Sequence, residues 1–407
     1  MTFMRKPVLT IFYQYNPWNK TIGGIQTLIN TFIKYAPEEF TVRLVGTGSD
    51  SKQPIGEWQQ AEFAGREISF LPLLTIENDN VRKLIPTTIK YTTALFGRCY
   101  ESDFMHFHRL EPTLATQKWQ GEKTLFIHND IQTQMQAGGN KNAILWRRFP
   151  TVYFALEKLL VKQFAEILSC NTDSARLYQQ RYPDLAERVA YIKNSFDDQI
   201  FYPLSPEGKE AARAEMASQM GLPASTRFVL FAGRLHPQKD PILLVRSLAA
   251  LNDPLVHLLI AGDGELAEEI QAEIARLNLA SRVTMLGAVT AQELSKLHRL
   301  SSVFALSSAY EGLPLVVLEA LASGTPIVTT HCGETPKLLT TDSGVVCAER
   351  TPVCIADGLR RILLQPENYP IQACVRAAQP YAASKVVEDV YSQMWHRWEQ
   401  RYPALVN

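Results

Sequence analysis

The sequence predicts an α/β protein built from two domains, each with a parallel sheet and crossover helices. Short apolar runs rich in β-branched residues recur along the chain and alternate with stretches of helical periodicity, the pattern of parallel strands joined by helices. At 407 residues the chain exceeds the ~250 residues near which single cores stop growing. Between the halves, Asn194-Ser195-Phe196-Asp197-Asp198 is followed by Phe201, Pro203 and Pro206, turn formers and prolines suited to a linker.

In the first half the expected strands are Val8–Tyr13, Thr41–Val45, Ile68–Leu71, Phe104–Phe107, Thr124–Ile127, Ile167–Cys170 and Val189–Ile192. Gly23-Gly24 follows the first of them and precedes a helical pattern of Ile25, Leu28, Ile29, Phe32 and Ile33. In the second half they are Phe228–Ala232, Val256–Ala261, Val283–Leu286, Val303–Leu306, Ile327–Thr330 and Val345–Cys347, each followed by turn residues and a helix signal. After Pro380, Val386, Val387, Val390, Met394 and Trp395 fall at helical steps and predict a final helix. The expected organisation is a first domain over 1–195, a second over 196–380 and a terminal helix over 381–407.

Composition narrows the function. Hydrophobic residues make up 46% and charged residues 20%, ordinary for a globular chain. The formal net charge of +0 supplies no field for non-specific nucleic-acid binding, which runs on many phosphate neutralisations. No run approaches the ~18 apolar residues of a spanning helix, and the Val8–Phe12 run reads as a strand rather than a signal segment. Cys99, Cys170, Cys332, Cys347, Cys354 and Cys374 show no paired C-x-x-C spacing, which suits neither a disulfide framework nor a zinc site. The expectation is a cytoplasmic protein with reduced thiols and no metal or other cofactor.

The strongest motif runs from Ser307 to Ala320, Ser-Ser-Ala-Tyr-Glu-Gly-Leu-Pro-Leu-Val-Val-Leu-Glu-Ala, after a strand and into a helix. Gly312 lets backbone approach a ligand, and Pro314 suits the first helical turn because its missing N–H is not needed there. The amides of Leu315 and Val316 would then face an anion. Glu319 lies further along the helix, where a carboxylate accepts hydrogen bonds from two ribose hydroxyls. Upstream, Gly233-Arg234-Leu235-His236-Pro237-Gln238-Lys239 joins a strand to a helix with two cations five positions apart, charges suited to a leaving diphosphate. Gly262-Asp263-Gly264 and Leu286-Gly287 close the next two strands; they are expected to wall a nucleotide.

The Glu311 to Glu319 segment, with Ala322-Ser323-Gly324-Thr325-Pro326 behind it, resembles the E-x7-E region of the retaining glycosyltransferases numbered family four. The resemblance covers nearly all of the second half and, more loosely, the first. It implies the GT-B fold, two Rossmann-like domains facing each other across a donor cleft, with the terminal helix crossing back to the first domain. It further implies a metal-independent, retaining hexosyltransferase of polysaccharide biosynthesis that uses a nucleotide-sugar donor. Uridine is the more frequent base in that family, so a UDP-sugar is expected, with GDP-mannose-dependent mannosyl transfer as the alternative. A non-hydrolysing nucleotide-sugar epimerase or a nucleotide-sugar binding protein of the same fold are the other readings.

By the same resemblance, Gly23, Gly24, Arg234, Lys239, Gly312, Leu313, Leu315 and Val316 bind the donor diphosphate. Glu319, Gly262, Asp263 and Leu286 bind the nucleotide, and Glu311 contacts the transferred sugar. Ile127-His128-Asn129-Asp130 is similar to the family's strand-end histidine, which makes His128 the first domain's candidate, with His106 and His108 as rivals. Two departures stand out. Ser195 and Phe196 replace the linker's usual Gly-Val, and Cys332 and Lys337 interrupt a segment where relatives show Gly-Gly and Pro-Glu. The acceptor is expected to be a glycan, a lipid-linked molecule or a small molecule. Lys141, Trp146, Arg147 and Arg148, with Leu145 and Phe149 between and after them and Lys158 and Lys162 beyond, fit either an ordinary amphipathic core helix with a solvated face or a peripheral contact on an anionic inner membrane face.

Overall fold

In the first half, Val8–Phe12 forms β1, and α1 (Gly24–Lys34), β2 (Thr41–Gly48), β3 (Gln59–Phe63), β4 (Arg66–Thr75), α2 (Thr87–Leu95) and β5 (Phe104–Phe107) follow. Then come β6 (Glu122–Ile127), α3 (Pro150–Leu160), β7 (Glu166–Ser169), α4 (Thr172–Arg181) and β8 (Val189–Tyr191). The computed structural model describes residues 5–18, 24–48, 54–76, 86–128 and 149–403. These strands form one sheet in the order β3-β4-β2-β1-β5-β6-β7-β8. Every pairing is parallel except β3 with β4.

The β3–β4 hairpin extends the single strand expected at Ile68–Leu71. It turns through Ala64 and Gly65, whose φ angles are 52° and 75°, the positive values a tight primed turn requires. One face of the sheet buries Leu9 and Ile11 of β1 against Leu28, Ile29 and Phe32 of α1. The other buries Phe12 and Val45 with Tyr91 of α2 and Leu160 of α3.

The second half continues with α5 (Pro206–Gln219), β9 (Arg227–Ala232), α6 (Pro241–Leu251), β10 (Val256–Ala261), α7 (Ala267–Arg276), β11 (Val283–Gly287) and α8 (Ala291–Leu300). It is completed by β12 (Val303–Leu306), α9 (Leu315–Ala322), β13 (Ile327–Thr330), α10 (Thr335–Leu338), β14 (Gly344–Cys347), α11 (Pro352–Leu364) and α12 (Ile371–Ala378). The sheet order is β11-β10-β9-β12-β13-β14, all parallel. Counted from the first strand of this half, that is 3-2-1-4-5-6, the doubly wound Rossmann order. All six residues of β10 are buried, as helices on both faces demand. The strand order reverses between β9 and β12, and ligands of open α/β sheets sit outside the strand ends at such a switch point.

The last helix, α13 (Ala383–Arg401), returns the chain to the first core. Val386, Val387, Tyr391 and Met394 are buried with α1 and β1, and Tyr391 Oη donates to Phe32 O at 2.9 Å. The compact units are therefore 1–193 with 386–407, and 194–385, a few residues from the divisions read in the sequence. Within the second unit the two crossing segments are tied together. Phe196 pairs with Ala382, and Asp198 accepts from the Ser384 amide at 3.0 Å and its hydroxyl at 2.9 Å. Among the described residues no helix is long and apolar enough to cross a membrane.

Candidate functional site

The loops after β9 and β12, which flank the switch point of the second sheet, are bound to each other. Ala309 N donates to Gln238 O at 2.8 Å, and Gln238 Nε2 returns a bond to Tyr310 O at 3.0 Å. Ser307 Oγ lies 2.9 Å and 2.8 Å from the carbonyls of Lys239 and Asp240. Lys239 Nζ pairs with Glu311 Oε1, their side chains 18% and 7% exposed. A lysine ammonium carries three donors, so Lys239 can keep Glu311 and still meet a second anion.

Backbone, not side chain, lines the neighbouring wall. Gly262 holds φ at 144°, and a Cβ there would stand 1.9 Å from Gly233 O. Asp263 O accepts from Leu235 N at 3.0 Å, and its Oδ1 accepts from Gly264 N at 2.7 Å. Gly287, next to Leu286 at the end of β11, accepts from Gly262 N at 2.7 Å. Arg234 is exposed on this rim.

Across the switch point, α9 begins at Leu315. Pro314 stands at its N-cap with φ −67° and ψ 129°, one position before the first turn in which the sequence placed it. Val317 N turns back to Pro314 O at 3.1 Å. The Leu315 and Val316 amides belong to the first turn, which has no intrahelical acceptors to offer them. Gly312 O accepts from Glu334 N at 3.0 Å. A Cβ on Gly333 would stand 2.2 Å from that same Gly312 O, so the segment with the Cys332 departure packs tightly against the motif loop before α10 begins.

Glu319, in the second turn of α9, is 6% exposed, and its Oε2 has no hydrogen-bond partner. Burial and then the nearby Asp197 push its carboxyl up to about 8. An orphaned buried oxygen is costly and marks a position where a ligand hydroxyl would complete the bonding.

In the first unit the structure separates the three histidines. His106, on β5, is 1% exposed and packs inside the core against Phe32 and Phe126. His108 is 3% exposed and lies beside His128, which is only partly buried at the end of β6. His108 Nδ1 and His128 Nε2 are 3.0 Å apart. Gly24 opens α1 and is exposed. Gly23, Lys141, Trp146, Arg147 and Arg148 lie outside the described residues.

This site now has relatives to set beside it. Residues 212–377 match the family of glycosyl transferases group 1. The match lies wholly within the second unit. D-inositol 3-phosphate glycosyltransferase of Segniliparus rotundus is 34% identical over 184 residues, 44% of this chain and 40% of the relative. The same enzyme of Mycobacteroides abscessus is 31% identical over 211 residues, 50% of this chain and 46% of the relative. The chain thus spans half or less of the length of these curated relatives.

Solved structures extend the likeness of fold to the whole chain. Sucrose-phosphate synthase of Thermosynechococcus elongatus superposes with a TM-score of 0.76 at 18% identity, over 98% of this chain and 100% of that one. Anabaena HepE, in complex with UDP and glucose, gives 0.70 at 18% identity, over 96% and 100%. The fold is GT-B, two Rossmann-like units in one chain.

Further residues hold these loops, among them Arg350, which the sequence did not single out. Arg350, past β14, binds Asp240 Oδ2 and donates to Ser307 O at 3.3 Å. Asp240 caps α6, accepting from Leu243 N at 3.1 Å. Asn194 Nδ2 holds Leu313 O at 2.6 Å. No local motif announces Arg350; only the sheet order brings it to the β9 and β12 loops.

Proposed function

We propose that the chain transfers a hexose from a nucleotide diphosphate sugar, preferentially a UDP-sugar, with retention and without a metal. The observation that carries this reading is the Lys239–Glu311 pair, lying at the switch point of a Rossmann sheet with glycine backbone on one side and α9 on the other. The diphosphate would meet Lys239, Arg234, Gly312, Leu313 and the amides of Leu315 and Val316. Glu319 would accept the ribose hydroxyls, and Gly262, Asp263 and Leu286 would border the base. Concentrated positive charge stabilises the diphosphate as the sugar bond breaks, because fixed charges gain most where negative charge develops.

Glu311 is assigned the transferred sugar, where its carboxylate steadies the positive charge of the anomeric carbon. His128 is the first unit's contact to that sugar, and Gly23 and Gly24 are its glycine-rich contribution. The UDP and glucose named with the HepE structure support a uridine donor over a guanosine one. A lipid-linked acceptor is supported by α3 and its approach, where Phe149, Val152 and Leu159 are 54%, 57% and 59% exposed. Lys158 and Lys162 are exposed among them, while the one carboxylate of that segment, Glu157, is buried. A basic, apolar helix face of this kind binds anionic lipid, and Lys141, Trp146, Arg147 and Arg148 would add to it.

Release of UDP from UDP-sugars by the full chain tests the reading. Lys239→Ala should lower turnover by about 100-fold, the scale of losing one preorganised charge donor, with an unchanged circular dichroism spectrum. Undiminished turnover in that variant would remove Lys239 from the site.

A further inference from the structure

His108 and His128 leave the ends of adjacent parallel strands, β5 and β6, and their rings lie 5.2 Å apart with 21° between planes. One face of His108 stacks on Phe126 at 4.7 Å and 17°, His128 lies at its Nδ1 edge, and Tyr13 meets it edge-on at 6.0 Å. A ring held on three sides has one orientation. It brings Nδ1 to 3.0 Å from His128 Nε2 and leaves its own Nε2 buried without a partner. The other nitrogen of His128, Nδ1, faces Cys170 Sγ at 3.9 Å.

Burial, with His128 and then His106 adding to it, drives His108 well below the usual histidine range. Burial and then Arg109 bring His128 down to about 3. Two neutral imidazoles share one proton across the 3.0 Å gap, so the tautomer of either ring fixes that of the other. If His128 were the donor, His108 would carry a buried N–H at Nε2 with nothing to accept it. Orphaned buried donors are rarer than orphaned acceptors among main-chain groups, and the same ordering selects His108 as the donor. His128 then accepts at Nε2 and carries its proton on Nδ1, where a sulfur at 3.9 Å competes weakly for it.

We propose that His108 is a positioning residue which, by donating from Nδ1 to His128 Nε2, holds His128 as an Nδ1–H donor for an oxygen of the bound sugar. The tautomer follows from the first unit alone; its use on a sugar rests on the transferase reading above. The arrangement resembles the way a second residue fixes ring plane and protonation in a histidine that binds a metal or a substrate. Here the second residue is itself an imidazole.

The test has two arms on the full chain. Long-range proton–nitrogen NMR on protein with ¹⁵N-histidine, with His128 assigned by His128→Gln, reads the tautomer directly. Wild type should show His128 protonated on Nδ1 alone. His108→Asn, whose amide can take the place of the ring N–H, should keep that state, and His108→Phe should give a mixture of both tautomers. His108→Leu, which also lacks a donor, replaces the Phe variant if that one does not fold. His128 protonated on Nε2 in wild type, or unchanged in His108→Phe, overturns the proposal.

The second arm follows UDP release from UDP-glucose, with water as acceptor. His108→Phe should lower kcat by about 10-fold or more, the lower range for loss of an orienting partner, with little change in KM, and His108→Asn should recover most of it. Equal losses in both variants, with the His128 tautomer intact, would mean that His108 only packs. If wild type consumes no nucleotide sugar, the transferase reading falls while the NMR arm still decides the tautomer.

Discussion

Glu319 is a buried carboxyl with one unpartnered oxygen. A carboxyl raised to about 8 holds a proton at pH 7 that the unfolded chain has released. It therefore lowers stability progressively as pH rises from the ordinary carboxylate range toward 8, because the folded state binds the extra proton. Ribose hydroxyls donating to the carboxylate would favour its charged form, so UDP binding near pH 7 should release a proton. Calorimetric titration in two buffers of different ionisation enthalpy would show this release in wild type and its loss in Glu319→Gln; equal proton counts in the two proteins would contradict the role. As candidates, Lys239, Glu311 and Glu319 were legible because each lies in a short motif whose residue types make sense only together. Arg350 was not, because it reaches Asp240 across 110 positions. The His108–His128 bond was half legible: both residues were singled out, but a sequence does not reveal that two strand ends are neighbours.

At the scale of elements, apolar patterning found most of the helices and strands, since buried parallel strands are nearly continuous apolar runs. It missed β3, where Gln59-Gln60-Ala61-Glu62-Phe63 forms a half-exposed antiparallel edge, and where Ala64 at positive φ gives no turn signal. It also passed over what ties α3 to α4. Glu157 is fully buried and accepts from Tyr182 Oη at 2.6 Å, Arg181 Nη1 at 2.9 Å and Tyr153 Oη at 3.4 Å, as well as from Tyr178 Oη. Removing one partner of a buried ion pair strands the other, at about 3–5 kcal/mol. Glu157→Ala should therefore shift the urea midpoint of unfolding by a corresponding amount. An unaltered midpoint would show that the tyrosines and Arg181 find water instead.

For the whole molecule, the sequence carried the division into two units because each half repeats its own strand and helix rhythm. The exact division was less legible: the resemblance implied a terminal helix crossing back to the first domain, as α13 does, but the units divide at 193/194 and 385/386, which packing decides. The second unit carries the family match over 212–377, and the first is alike to known structures in fold. Among the described residues no group of three or more histidine, cysteine or carboxylate side chains is placed to hold a metal. With the diphosphate assigned to the cations Lys239 and Arg234, transfer should survive chelation; activity lost to a chelator and restored by magnesium would contradict that assignment. The most direct measurement is a crystal structure of the full chain with UDP. Phosphate oxygens are expected on Lys239 and the first turn of α9, with both ribose hydroxyls on Glu319. UDP bound elsewhere, with Glu319 Oε2 still unpartnered, would contradict it.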